Sequence, residues 1–134
     1  MPSLDEVRTF FVKEFPQCHV TVEDVARGRA RVRHVIGPEQ LRPGRTVSGP
    51  VMMATADAAA YAAILATIGI VPLAVTTSLN MTFMLKPRPD RDVLGEAELL
   101  KVGKRLVVAD VRLFSDGAKD LVAHATVTYA VPPR

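Results

Sequence analysis

The sequence is poor in several residue types that mark common functional classes. It contains no Trp and only five Phe and two Tyr, so the aromatic platforms that grip single-stranded nucleic acid are scarce. A single cysteine, Cys18, excludes an internal disulfide, and residues 1–15 mix charged with apolar side chains, unlike a secretory signal. A cytoplasmic location is therefore expected.

Strong charge of one sign and long apolar runs are also missing. The 17 basic and 14 acidic residues leave a net charge of +3. This mild excess lacks the dense basic stripe of DNA- and RNA-binding proteins, although it would suit an anionic small molecule. The uncharged run between Asp57 and Pro72 is shorter than the roughly 20 residues of a membrane-spanning helix. It predicts a buried core helix and no membrane contact.

What is present fits one globular domain over residues 1–134, with 49% hydrophobic residues. Ser3 and Glu6 match a capping box that opens a short helix within residues 1–16. A long Ala-rich helix is predicted from Pro50 to Ile68, because proline suits a first helical turn and glycine follows at position 69. The prolines at positions 38 and 43 and the glycines at positions 44 and 49 are expected to exclude regular structure before this helix.

Alternating apolar and polar residues predict six strands, two before the long helix and four after it. The predicted strands are residues 19–25, 29–33, 75–85, 93–102, 107–113 and 121–129. Because the predicted helices lie on one side of the sheet, the sheet must wrap around the long helix to bury its apolar surface. The predicted fold class is α+β, a curved antiparallel sheet wrapped around one central helix.

Common metal, phosphate and nucleophile motifs are absent from the sequence. His19, His34 and His124 share no spacing typical of metal ligands, and there is no second cysteine. There is also no Gly-rich phosphate loop and no Gly-x-Ser-x-Gly elbow. Neither a metal site nor a separate cofactor is therefore predicted.

One carboxylate interrupts the Ala-rich helix. Asp57 lies at helical spacing from Met53, Tyr61 and Ile64, in the segment that the sheet is expected to enclose. Removing a carboxylate from water is costly unless it is hydrogen-bonded or has a function, so Asp57 is a candidate base or nucleophile. The alternative is an aspartate on the exposed edge of the helix.

The start of the same helix carries a second candidate. In Ser48-Gly49-Pro50, the free N–H of Gly49 lies at the positive end of the helix dipole, where it could hold a developing oxyanion. The alternative is an ordinary N-cap, for which Ser and Gly are common. Together with a carboxylate eight residues later, this pattern is typical of acyl transfer.

From His19 onward the chain resembles the hotdog-fold acyl-CoA thioesterases of the phenylacetate-pathway (PaaI-like) type. The resemblance is carried by residues 44–57, 76–83, 103–105 and 122–126. In that family a His-Gly-Gly triplet precedes the catalytic acid, and Ser48 and Asp57 keep its nine-residue spacing. The resemblance implies a hotdog fold and hydrolysis of a small or medium acyl-CoA to free acid and CoA. It also implies a homodimer with sites shared across the interface, often paired again into a homotetramer.

The resemblance further implies roles for individual residues. Asp57 would attack the thioester carbonyl or activate water against it, Gly49 would donate its N–H to the carbonyl oxygen, and Thr76 would orient the water, with Thr77 as a one-residue alternative. Coenzyme A enters only as part of the substrate, and no nucleic acid is expected. The implied substrate contacts are Ser48, Met53, Thr77 and Asn80, and, toward the phosphates, Lys86, Arg88, Lys104 and Arg105.

Three positions depart from the family pattern. Ser48 replaces the histidine, Pro50 replaces the second glycine, and Arg42 stands where asparagine is frequent. The lost polar contact and N–H leave open a second hypothesis, a hotdog protein that binds acyl-CoA without hydrolysing it. A hydratase has less support, because that chemistry usually uses an Asp and a His close together and no His follows Asp57 before His124.

Overall fold

One long helix and a six-stranded antiparallel sheet form most of the structure. This is a computed structural model, and it describes residues 1–16 and 18–133. The elements in chain order are α1 (Leu4–Glu14), β1 (Val20–Ala26), β2 (Arg29–His34), β3 (Leu41–Arg42), β4 (Thr46–Val47), α2 (Gly49–Ile68), β5 (Val75–Phe83), β6 (Val93–Val102), β7 (Leu106–Ser115) and β8 (Ala123–Ala130).

The main sheet has the strand order β1-β2-β6-β7-β8-β5, and all neighbours are antiparallel. Helix α2 packs on one side of it, here called the helix face, and the opposite side is the outer face. This arrangement confirms the predicted α+β hotdog class. Strands β1 and β5 are the two edges. The β1 edge is partly covered by α1, whose Arg8 Nε donates to the Val22 carbonyl at 2.7 Å.

Helix α2 is the core of the protein. Ser48 is its N-cap and accepts from the Val51 N–H at 3.3 Å, and Gly69 ends it with a φ of 106° that favours glycine. By length and composition α2 could cross a membrane, yet most of it is buried inside the fold, which confirms the prediction of a core helix. Its small side chains allow the sheet to approach closely. The fully buried alanines are Ala56, Ala59, Ala60, Ala62, Ala63 and Ala66.

The segment between β2 and α2 is more regular than predicted. A 3₁₀ turn spans Pro38–Gln40, and β3 pairs with β4 in a small hairpin. The expectation that proline and glycine would exclude regular structure here is wrong. The reason is local, because Gly44 (φ 88°) and Arg45 (φ 57°) make a tight turn in which the Arg45 N–H reaches the Arg42 carbonyl at 3.0 Å.

A buried histidine links the sheet to α2. His34 Nδ1 lies 3.0 Å from Thr55 Oγ1, and that hydroxyl donates to the Val51 carbonyl at 2.8 Å. The hydroxyl therefore accepts from the Nδ1–H of His34. Burial lowers the pKa of His34, the nearby His19 lowers it further, and the Asp92 carboxylate opposes both.

This histidine predicts a loss of stability in mild acid. The folded pKa of His34 is lowered, so the unfolded chain binds its proton first, and stability falls as the pH drops from about 6.5 toward the folded pKa. Urea unfolding at several pH values should therefore show a steeper acid loss for wild type than for His34→Gln. Equal slopes for the two proteins would contradict the assignment.

Candidate active site

Two hydroxyl groups hold the Asp57 carboxylate. Thr76 Oγ1 on β5 and the Tyr129 hydroxyl on β8 each donate to Asp57 Oδ1 at 2.7 Å. The Tyr129 hydroxyl also lies 3.3 Å from the Asp57 carbonyl oxygen. Asp57 itself is partly buried, so it lies neither in the dry core nor on an open edge of the helix. The only charged group within the long helix is thus met by two neutral donors.

A β-bulge turns Thr76 toward the helix. Thr76 lies opposite Tyr129, and the next pair is Ser78 with Thr128, so Thr77 is the extra residue. Strict alternation would place Thr76 and Ser78 on the same face, whereas the bulge puts Thr76 on the helix face and Ser78 on the outer face. Thr77 instead donates to the Thr128 carbonyl at 3.2 Å, so Thr76 is the hydroxyl that reaches Asp57.

Tyr129 is the residue of this site that sequence reasoning missed. Its side chain is 4% exposed, and its ring stacks on Tyr61 with centroids 5.3 Å apart and planes 8° from parallel. Burial, followed by the nearby Asp57 charge, raises the pKa of Tyr129 well above its usual range, so the hydroxyl keeps its proton. The alternation of β8 places Tyr129 on the helix face with Val127, but no sequence signal shows that it meets Asp57.

Most of the few aromatic residues of the chain form one cluster next to Asp57. Five of the seven, counted from five Phe and two Tyr, contact one another here: Phe10, Phe11, Phe15, Tyr61 and Tyr129. A cleft of about 350 Å³ opens beside them. Its lining is mainly apolar and combines the end of α1 with α2 and the start of β5: Phe11, Phe15, Cys18, Ala54, Asp57, Ala58, Tyr61, Ala74, Val75, Thr76 and Tyr129.

Gly49 lies in a different cleft. It is in the first turn of α2, and a Cβ added to it would be 3.7 Å from Phe83 Cζ. The surrounding cleft has a volume of about 490 Å³ and is also lined by Arg42, Met52 and Lys86. Eight residues of helix separate Gly49 from Asp57, or about 12 Å along the axis. One chain therefore does not present the predicted donor and the predicted carboxylate to the same carbonyl group.

The four candidate phosphate contacts divide into two exposed pairs. Lys86 and Arg88 follow the Phe83 end of β5, whereas Lys104 and Arg105 lie in the turn before β7. Val75, Ala130 and Leu106 lie side by side in register, so that turn is at the opposite end of β5. Within one chain the two pairs cannot hold the same phosphate group.

The remaining candidates do not line the Asp57 cleft. The hydroxyl of Ser48 caps α2, Met53 is 41% exposed on that helix, and Asn80 is exposed on β5 at a position that faces outward. Among residues 1–16 and 18–133, no three His, Cys, Asp or Glu side chains cluster as metal ligands would. The Asp57 cleft combines a carboxylate held by two hydroxyls with a mainly apolar lining.

A family model described as the thioesterase superfamily matches residues 44–122, which include Gly49, Asp57 and Thr76. The chain belongs to the thioesterase superfamily. This membership confirms the predicted thioesterase superfamily and the predicted reaction class, hydrolysis of a thioester.

Individual relatives agree with this assignment. The thioesterase is 43% identical to a protein from Silicibacter sp. TM1040 whose crystal structure is described as a candidate thioesterase; the match covers 98% of this chain and 92% of that one, with a TM-score of 0.90. It is 30% identical over 133 residues to a candidate esterase of Saccharolobus solfataricus, and the match covers 98% of this chain and 87% of that protein. A mutant of the phenylacetic acid degradation protein PaaI from Thermus thermophilus is 24% identical and shares the fold. The match covers 88% of this chain and 97% of that one, with a TM-score of 0.75.

Proposed function

We propose that this thioesterase hydrolyses a small or medium acyl-CoA of the kind handled by PaaI-like enzymes. The observation that carries the proposal is the Asp57 carboxylate, held by two hydroxyls at the wall of an apolar cleft. A carboxylate in this setting has a free oxygen for chemistry and an apolar space beside it for an acyl group. The unpaired, exposed Cys18 suits action in the cytoplasm.

The proposed reaction is acyl transfer to water. In one route Asp57 removes a proton from a water molecule, whose oxygen attacks the thioester carbonyl carbon; in the other Asp57 attacks that carbon itself and forms a mixed anhydride, which water then hydrolyses to release the acid and restore Asp57. In both routes the C–S bond breaks, and CoA leaves as a thiolate that takes up the proton lost by water. A backbone N–H at the start of α2, that of Gly49, stabilises the oxygen that becomes negative. Neither a metal nor a separate cofactor enters this scheme.

The distance between Gly49 and Asp57 requires a second copy of the chain. We propose a homodimer in which two β5 edges pair antiparallel, since β5 pairs only with β8 among the described strands. Within one chain Gly49 lies beside Phe83, and Asp57 beside Thr76. Antiparallel pairing carries the Phe83 end of one β5 to the Thr76 end of the other. Gly49 of one copy then approaches Asp57 of the second.

The same antiparallel pairing of β5 brings the four candidate phosphate contacts to one place. Lys86 and Arg88 of one copy come to the end of the interface where Lys104 and Arg105 of the other lie, so the two pairs can hold one coenzyme A together. The acyl group occupies the aromatic cleft beside Asp57. Its volume of about 350 Å³ limits the acyl group to small or medium size.

The dimer has a direct test in solution. The β5 edge exposes apolar residues, with Val75 58% and Phe83 49% exposed, and burying them stabilises association. Analytical ultracentrifugation should therefore give at least twice the 14.5 kDa chain mass, with a tetramer as the larger assembly. An active protein that sediments only as a 14.5 kDa monomer would contradict the shared site.

The function is tested with a panel of acyl-CoAs. Thiol release should be fastest for acyl groups that fit the apolar cleft beside Asp57. The second hypothesis, a protein that binds without hydrolysing, has one observation in its favour: Ser48 and Pro50 stand where the family has histidine and glycine. Tight binding measured by calorimetry, with no thiol release from any member of the panel, would establish that alternative.

A further inference from the structure

We propose that the oxygen of Asp57 that reacts is Oδ2, and that Tyr129 is a positioning residue that, with Thr76, fixes the carboxylate through Oδ1. This inference rests on the proposed function and goes beyond it. It assigns a role to a tyrosine that reaches Asp57 from β8, 72 residues later in the chain. The Thr76 hydroxyl then orients the Asp57 carboxylate, whereas the family resemblance implied that it orients the attacking water.

The two oxygens of the Asp57 carboxylate differ in their hydrogen bonds. Both hydroxyl donors contact Oδ1 at 2.7 Å, whereas Oδ2 accepts no hydrogen bond from the residues that the structure describes. A carboxylate turns about its Cβ–Cγ bond, and two donors from different strands on one oxygen stop that rotation. The unbonded oxygen retains its lone pairs for a water proton or for the acyl carbon.

The Tyr129 hydroxyl is well suited to hold a charge in place. Its ring cannot swing away, because it is buried and stacked on Tyr61. Burial and the Asp57 charge keep the hydroxyl protonated, so it donates at every working pH. Tyr61 differs, because its hydroxyl donates to the Val71 carbonyl at 2.8 Å and does not contact the carboxylate. Of the two stacked tyrosines, only Tyr129 acts on Asp57.

The test removes each hydroxyl while keeping side-chain size. Tyr129→Phe and Thr76→Val should each lower kcat about tenfold, the effect of one hydrogen bond to a charged group, with KM changed less than about twofold. Thr76→Ser restores a hydroxyl at the same place and should recover most of the lost kcat. Thr128→Val is the matched control, since it removes a hydroxyl from the same strand as Tyr129 but on the outer face.

The double variant gives a second readout. With one donor left, the carboxylate is still partly held, so Thr76→Val/Tyr129→Phe should lose more kcat than the product of the single losses. Thermal unfolding of every variant separates a fall in kcat from a loss of folded protein.

The outcomes distinguish this inference from the proposed function. An active wild type whose kcat is unchanged in Tyr129→Phe overturns the role of Tyr129 and leaves the thioesterase standing. A raised KM with unchanged kcat also overturns it, because orientation of a reacting group acts on kcat. A folded wild type that releases no thiol from any acyl-CoA overturns both.

Discussion

Asp57→Asn is expected to lower kcat for the best acyl-CoA by about a thousandfold. An amide at this position can neither take a proton from water nor form an acyl intermediate. Its carbonyl oxygen can still accept from Thr76 and Tyr129, as Oδ1 does now, so the fold and the cleft should remain. Thiol release under saturating substrate measures the loss, and calorimetry with the same acyl-CoA should show that binding persists.

The control for this variant is Asp24→Asn. Asp24 is an exposed carboxylate on β1, at the edge of the sheet far from β5, and its loss changes the net charge by the same amount. It should keep the wild-type kcat. If Asp57→Asn and Asp24→Asn were equally active, Asp57 would have no part in the chemistry, whatever the family of the chain.

Gly49→Pro is expected to lower kcat about a hundredfold or more, the usual effect of removing one oxyanion donor. Proline deletes the backbone N–H, adds a ring beside Phe83 and stands directly before Pro50. It is favoured in the first turn of a helix, and the extended Ser48 before it (φ −69°, ψ 149°) has the conformation that precedes proline. Because a residue before proline is biased away from the helical conformation, the helix is expected to form from Pro50 onward, and circular dichroism and thermal unfolding must show that it does.

Gly49→Ala separates the N–H from the lack of a side chain. An added Cβ would meet Phe83 Cζ at 3.7 Å, an ordinary contact, and the N–H is kept. This variant should lose far less kcat than Gly49→Pro. If alanine and proline were equally damaging, the role of Gly49 would be to leave space and not to donate a hydrogen bond.

Mixing the two inactive variants tests whether the site is shared. Asp57→Asn and Gly49→Pro, dissociated and reassociated together, form mixed dimers in which one of the two sites combines an intact Asp57 with an intact Gly49. Random pairing should restore about a quarter of the wild-type activity. A site contained within one chain would show no recovery, because every chain lacks one of its two parts.

The elements that the sequence predicted well are those set by local sequence patterns. The Ala-rich helix follows from its composition and from the proline and glycine at its two ends, and the six strands follow from alternation with a period of 2.0 residues; all of these are visible without knowing any contact. Residues 93–102 form a strand with the predicted bounds, and the helix from Pro50 begins one residue earlier, at Gly49. The predicted strand 75–85 is two residues shorter in the structure, where it ends at Phe83.

The candidate site was only partly predictable, because its parts come from distant segments. Asp57 and Gly49 stand out as local patterns within one helix, and sequence reasoning found both. The bulge at Thr77 was missed, since one extra residue reverses alternation without changing the composition of the strand. The aromatic side of the cleft formed by Phe11 and Phe15 was missed as well, because the packing of these two residues on Tyr61 is a tertiary contact.

The sequence by itself determined the class of fold and the family, and it singled out Asp57 as the candidate carboxylate, because each depends on residue type and spacing along the chain. Only the tertiary structure decided which hydroxyls hold that carboxylate and which of its oxygens is left unbonded. It also decided that Gly49 and Asp57 lie in separate clefts of one chain. The physical reason is that orientation and distance between elements arise from packing, to which residues far apart in the chain contribute together.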